Sequence, residues 1–275
     1  MVNALKAMEG LTFGADPELF VVDTNGDFVS AEGLIPGTKD KPYKVDCGAV
    51  QVDGMAAEFN IDPVDNYVDF RHNMKTVRQQ LKKMLPKGYK LVEAATAEFK
   101  PEVWNNTPDH AKMLGCSPDF NAWNTCINKP PKDREFIRHA GGHLHIGWTD
   151  EADTSDTVYT SACLDLVRQL DWYLGAWSTL KDTDAERREM YGKAGSMRFK
   201  PYGVEYRTLS NFWLKSDALM LETWNRMQAA IWGMKDNHFP VQYSSYNNSI
   251  ISSINTSVQD NKLFSLFDYP IRHYG

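Results

Sequence analysis

The sequence predicts an α+β domain in which antiparallel strands come first and helices are interposed later. Three observations carry this. Runs of strand-forming residues flank Asn25-Gly26 and Asp53-Gly54, dipeptides that favour tight hairpin turns. From Asp65 the apolar residues switch to helical steps. Strands grouped early do not alternate with helices as a parallel βαβ chain would require.

The elements follow in order. "ELFVVDTNGDFVSAEG" is a hairpin, "LIPGTKDKPYK" a loop, and "AVQVDGMAAEFNID" a second pair of short strands. Phe70, Met74, Val77, Leu81 and Met84 line one face of a helix that Pro86 and Gly88 stop. "YKLVEAATAEF" reads as one strand, Trp104 to Arg138 as largely irregular with a loop at Pro130-Pro131, and "GGHLHIGWT" as a strand. Val158, Ala162, Leu166, Leu170, Leu174 and Trp177 make one apolar helical stripe; Leu219, Leu221, Trp224, Met227, Ile231 and Met234 largely make another. With no repeat and no Gly/Ser-rich linker, residues 1–275 are expected to form a single domain.

Composition narrows the function classes. The 275-residue chain is 42% hydrophobic and 24% charged, which suits a globular protein with a sizeable core and excludes disorder or fibre. A net charge of -6 lacks the broad basic footprint of a nucleic-acid binder, although a local basic groove stays open. The N-terminal "MVNALKAMEGLTFGADPE" has no signal-peptide pattern, and no run approaches the ~18 apolar residues of a membrane helix. The expectation is a cytoplasmic protein that does not meet a membrane. Cys47, Cys116, Cys126 and Cys163 form no C-x-x-C pair and read as small buried thiols; a zinc site from Cys116, Cys126 and His110 would need an irregular spacing.

Three short strands place polar residues at i and i+2, and hence on one strand face: Asp16 and Glu18 in "GADPELF", His143 and His145 in "GGHLHIG", Glu205 and Arg207 in "VEYRTL". Glu58 in "MAAEFNI" is another acid in a small or apolar strand, and Asp53 lies at the adjoining hairpin. Carboxylates in such surroundings call for cations, either basic side chains or metal. Carboxylate oxygens suit Mg²⁺ or Mn²⁺, and an added imidazole shifts the preference slightly toward Mn²⁺ or a transition metal. Each pair alone also admits a structural reading: a salt bridge for Asp16 and Glu18, a hydrogen-bonded core pair for the histidines, a cross-strand ion pair for Glu205 and Arg207. The combination favours a site.

In order along the chain, "GADPELF", "VQVDGMAAEFN", "GGHLHIG" and "YGVEYRTLSNFW" resemble the motifs of the glutamine synthetase and glutamate-cysteine ligase superfamily, in particular its phage-type COOH-NH2 ligases (amidoligases) of type 2. The resemblance runs from about Gly14 to Trp213, and the ordered set is more specific than any one motif. It implies a glutamine-synthetase-like antiparallel β-sheet funnel with helices on its outer face. It also implies an ATP- and Mg²⁺- or Mn²⁺-dependent carbon–nitrogen ligase, phage-encoded, that joins a carboxylate substrate to an amine substrate. Carried over by position, Asp16, Glu18, Glu58, His143 and Glu205 become metal ligands. Asp16 stands where many relatives have the longer Glu. One further family Glu is absent from the second segment, with Asp53 or Gln51 as replacement.

Arg207 matches the Arg that contacts the transferring phosphoryl group, and a planar guanidinium suits phosphate oxygens. Arg198, Lys200 and Lys39 are candidate phosphate contacts, and Arg198 joins Arg207 and Asp53 as a catalytic candidate. Arg187 and Arg188, in a segment that also resembles the phage branch, divide evenly between site residues and solvated helix charges. Asp46, Asp53 and His145 are candidate bases for the amine, and His145, Asp119 and Asn121 candidate substrate contacts. In "GCSPDFNAWN", Phe120 and Trp123 read as loop anchors in preference to a substrate wall.

The chain has no Walker A, dinucleotide, nucleophile-elbow or H-E-x-x-H motif, so ATP use rests on the resemblance. The alternatives are a metal-dependent hydrolase, which would need no ATP, and a non-catalytic binding protein on the same fold.

Overall fold

Strand β1 (Thr12–Val22) is buried along almost its whole length, as a central strand of Leu, Phe and Val should be. The computed structural model describes residues 10–112, 119–129, 134–235 and 244–258. The loop mark at Pro130-Pro131, Cys116 of the zinc alternative and the first residues of the N-terminal stretch lie outside them.

β2 (Phe28–Val29) returns on β1 through a turn holding Gly26 at φ 87°. β3 (Tyr43–Val45), β4 (Gly48–Asp53) and β5 (Ala56–Ile61) form a meander, and Gly54 at φ 61° turns the β4–β5 hairpin. Helix α1 (Tyr67–Met84) starts at Asn66, whose side chain accepts from the Asp69 backbone N–H, and buries Phe70, Met74, Val77 and Leu81. The single strand expected over "YKLVEAATAEF" is two, β6 (Lys90–Val92) and β7 (Thr96–Glu98), which join different sheets. The stretch expected to be irregular contains α2 (Pro101–Asn106), the turn α3 (Asp109–Lys112), β8 (Phe120–Asn121), β9 (Cys126–Ile127) and β10 (Ile137–His139).

β11 (Gly142–Gly147) leads to α4 (Thr157–Leu170), capped by Asp156. A π turn, Asp171–Gly175, then joins it to α5 (Ala176–Ser178). The wide turn inserts a residue into the helical phase. The apolar stripe is not continuous from Val158, which lies in the first turn of α4 and is 63% exposed, while Leu166, Leu170, Leu174 and Trp177 are buried. After α6 (Ala185–Met190) come β12 (Ser196–Lys200), β13 (Gly203–Tyr206), a 3₁₀ turn (Asn211–Lys215), α7 (Asp217–Lys235) and α8 (Ser244–Thr256). In α7 the buried face is Met220, Trp224, Met227, Ile231 and Met234, and Leu221 points outward.

The α+β expectation holds. Among the described residues the main sheet has 11 strands, in the order β3-β4-β5-β1-β11-β13-β12-β8-β9 with β2 and β6 added beside β1, and every pairing is antiparallel. It is open and does not close into a barrel. One face carries Ala15, Leu19, Phe59, Leu144, Ile146, Met197, Val204 and Tyr206 into a core shared with Phe70, Leu166, Leu170 and Trp224 of the helices. The alternate residues of the same strands point the other way. No helix among the described residues is long and apolar enough to cross a membrane.

Arg187 and Arg188 are not solvated helix charges: both are fully buried. Arg187 donates to the carbonyls of Ala140 (2.8 Å), Thr208 (3.1 Å) and Leu209 (2.7 Å), tying the approach to β11 to the exit from β13. Arg188 donates to Ser178 Oγ at 2.7 Å. Arg187→Ala strips three buried carbonyls of a charged donor and is expected to lower unfolding stability by roughly 3–5 kcal/mol, read from the urea midpoint.

Candidate active site

Strand register assembles the site. Asp16 pairs with His143, Glu18 with Glu58, Glu58 with Gln51, His145 with Glu205 and Glu205 with Arg198. Directly opposed residues share a face, so these side chains lie together on the face turned away from the helical core. Lys200, two residues beyond Arg198 on β12, joins them and reaches Glu205 Oε2 at 2.8 Å.

The middle of the row is tightly paired. Asp16 Oδ1 lies 3.2 Å from His143 Nδ1 and 3.0 Å from His145 Nε2. Burial pushes the Asp16 carboxyl up, but His145 and His143 outweigh it and hold the group well below the usual carboxylate range. His145 is affected in the opposite sense: burial pushes it down, and Asp16 more than restores it. Tyr202, on the turn before β13, places its hydroxyl 2.5 Å from His145 Nδ1. Glu205 is buried beside Asp16, and both effects oppose its charge, yet Arg207 with His143 and His145 brings it down to about 2. Arg207 Nη1 donates to Glu205 Oε1, and its Nε donates to Asp119 Oδ1 at 2.7 Å.

The β4–β5 end is different. Glu58 and Glu18 are buried, and among the described residues neither has a basic side chain as ion-pair partner. Gln51 Nε2 donates to Glu58 Oε2 at 2.8 Å and the Gly141 N–H to Glu18 Oε2 at 2.8 Å. Burial, then Asp16, Asp53 and Glu18, push the Glu58 carboxyl well above its ordinary range; burial also raises Glu18. Gln51 Oε1 is a buried oxygen with no hydrogen bond. Underpaired carboxylates with a spare amide oxygen fit a hard divalent cation. Asp16, His145 and Glu205 also offer ligand atoms within 4.8 Å of one another.

Other expected residues fall at different distances from this row. Asp53, at the end of β4, pairs with Lys39 at 2.9 Å. Asp46 is exposed on the β3–β4 turn, with Gln80 of α1 bonding its backbone. Asn121 spends its amide on Asn128, the Ala194 carbonyl and the Trp123 and Asn124 N–H groups, which makes it a loop-tying residue. Phe120 packs on Phe199 and Trp123 donates to Asp171, both as anchors. Cys126 is exposed rather than buried, and His110 faces Glu32.

Tyr191 and Tyr202 are the site residues that the sequence reading passed over. Tyr191 stands in the segment after Arg187 and Arg188 that resembles the phage branch, and Tyr202 in the turn before Glu205, so in the sequence only their neighbours mark them.

Residues 137–231, roughly a third of the chain, match the family model described as "Phage phiEco32-like COOH.NH2 ligase-type 2". The match supports a ligase superfamily assignment. Over "GGHLHIG" and "YGVEYRTLSNFW" it bears out the resemblance, and it supports a carboxylate–amine ligase, a carbon–nitrogen bond-forming class. The matched segment holds His143, His145, Arg198, Lys200, Glu205 and Arg207; Asp16, Glu18 and Glu58 precede it.

No curated protein matches the chain. Among solved structures it is similar to a bifunctional glutathione synthetase from Pasteurella multocida, at 9% identity and a TM-score of 0.43 over 97% of this chain and 47% of that one. It is also similar to GmaS without ligand, at 14% identity and 0.44 over 86% and 58%, and to a GmaS/ADP complex, at 11% and 0.39 over 83% and 58%. The chain thus spans about half of the length of the chains it resembles.

Proposed function

We propose that the protein is an ATP- and divalent-metal-dependent carboxylate–amine ligase whose catalytic unit is residues 1–275. In this reading it is phage-encoded, works in the host cytoplasm and modifies a peptide, protein or small metabolite. The observation that carries the reading is the polarised row on one sheet face: carboxylates without basic partners on β5 and β1, and Arg198, Lys200 and Arg207 around Glu205 on β12 and β13.

Asp16, Glu18, Glu58, His143 and Glu205 would hold Mg²⁺ or Mn²⁺, with Gln51 Oε1 or Asp53 as a further oxygen. When bound, the metal neutralises polyphosphate charge. Arg207, with Arg198 and Lys200 beside it, supplies fixed positive charge for the γ-phosphoryl group, and Lys39 reaches out from the Asp53 side.

The substrate carboxylate oxygen attacks the γ-phosphorus, the bond to the bridging oxygen breaks and ADP leaves with an acyl phosphate behind. The amine nitrogen then attacks the acyl carbon, inorganic phosphate departs, and the ammonium proton passes to a base, with Asp53 and His145 as the groups at hand. Asp119, bonded to Arg207 Nε, sets the guanidinium plane.

Calorimetric titration with ATP, with and without Mg²⁺, tests this. Binding is expected to require the metal, and Glu18→Gln is expected to weaken it by at least ~10-fold, the scale seen when metal-site support is removed. Metal-independent binding of equal strength in both proteins would remove the basis for these ligands.

A further inference from the structure

Tyr191 sits where the helical turn of α6 ends, its N–H bonded to the Arg187 carbonyl at 2.5 Å. Gly192 follows at φ +73°, and a Cβ there would come 2.7 Å from the Thr208 carbonyl oxygen. The buried Arg187 guanidinium closes the same corner by holding Thr208 and Leu209. The Tyr191 ring is thereby fixed beside Arg187 and Arg207, with guanidinium carbons 5.2 and 5.4 Å from its centroid.

The hydroxyl bridges two site residues. It lies 2.7 Å from His143 Nε2 and meets Arg207 Nη2. A guanidinium nitrogen only donates, so the hydroxyl oxygen accepts from Arg207. Arg207 Nη1 also stands 3.2 Å from His143 Nδ1, again only as donor, and a ring nitrogen that accepts carries no proton. Against this, Asp16 Oδ1 at 3.2 Å and Glu205 Oε1 at 3.7 Å draw a proton onto the same Nδ1. The Tyr191 hydroxyl at Nε2 decides between the two tautomers: accepting from Nε2–H it leaves Nδ1 bare, donating to Nε2 it leaves the proton on Nδ1.

We propose that Tyr191 is a positioning residue whose hydroxyl oxygen accepts from His143 Nε2–H, leaving the Nδ1 lone pair turned toward Asp16 and Glu205. The consequence rests on the ligase reading: a lone pair there can bind a cation, and an N–H cannot.

Long-range ¹⁵N–¹H spectra of histidine-labelled protein, recorded above the usual imidazole range, report the tautomer directly. The wild type is expected to show protonated Nε2 and bare Nδ1 at His143. Tyr191→Phe, which keeps the ring but not the hydroxyl, is expected to move the proton to Nδ1 in most molecules. Its Mn²⁺ affinity is expected to fall ~10–100-fold with the melting temperature nearly unchanged. Protonated Nδ1 in the wild type, or an unchanged tautomer in the variant, overturns the proposal. Tyr191→Met gives the same comparison if the Phe variant does not fold. Absence of Mn²⁺ binding in the wild type would count against the ligase reading alone, because the ¹⁵N spectra judge the tautomer without metal.

Discussion

Arg207→Met is expected to remove roughly 3–5 kcal/mol of unfolding stability, because it leaves Glu205 and Asp119 buried with less compensating charge. Arg207→Lys separates that role from chemistry. It keeps the charge but not the planar fork that donates to Glu205, Asp119 and Tyr191 together. With any carboxylate and amine that the protein joins, the Lys variant is expected to form ADP ~10²–10³-fold more slowly, the scale for losing one aimed donor in a transition state. Equal rates in the Lys variant and the wild type would confine Arg207 to holding the sheet.

The acid limb of stability supplies a second readout. Glu205 has its folded value depressed from 4.5 to about 2, so its contribution is present above the ordinary value and is lost as pH falls toward 2. Without Arg207, that limb of the unfolding curve is expected to flatten.

Glu58→Gln is expected to act in the opposite direction on stability. The Glu58 carboxyl is raised, so the folded protein favours its protonated form. Its contribution is full below the ordinary carboxylate value and lost as pH rises through the raised one. Above the ordinary value the cation-free protein therefore loses stability, either by burying the Glu58 charge or by taking up a proton to avoid it, and the Gln variant relieves that cost. Its melting temperature in chelator should exceed that of the wild type by several degrees, at ~2–4 °C per kcal/mol for a chain of this size. Added Mg²⁺ or Mn²⁺ should stabilise the wild type and leave the variant nearly unmoved. A variant that melts below the wild type in chelator would mean that the carboxylate is already compensated.

The sequence made much of this legible, for a physical reason. Period two in "ADPELF", "GHLHIG" and "VEYR" is also the period of a sheet face, so Asp16, Glu18, His143, His145, Glu205 and Arg207 could be grouped before their strands were known to be neighbours. Period alone cannot say which strands lie side by side, and the β1–β11–β13 order emerges only in three dimensions. The α4 stripe misled at Val158 because each step of four residues drifts by ~40° around a helix, so Val158, in the first turn, no longer lies over Leu166 and Leu170. Arg187 stays undecided in the sequence because an exposed and a buried arginine look alike there, and only the waiting carbonyls of Ala140, Thr208 and Leu209 tell them apart. Asn121 was read as a probe of substrate because a polar loop residue gives no sign of being used up by its own turn.

The alternation on β11 has a consequence for how the protein can fail. Leu144 and Ile146 are wholly buried against the helices while His143 and His145 occupy the opposite face. A slip of one residue against β1 or β13 would drive both imidazoles into the oily layer and turn both aliphatic side chains outward. Chains in the wrong register thus lose core and site together. A preparation should divide into fully competent and fully inert molecules, so that the titratable fraction of binding sites equals the fraction with native melting behaviour.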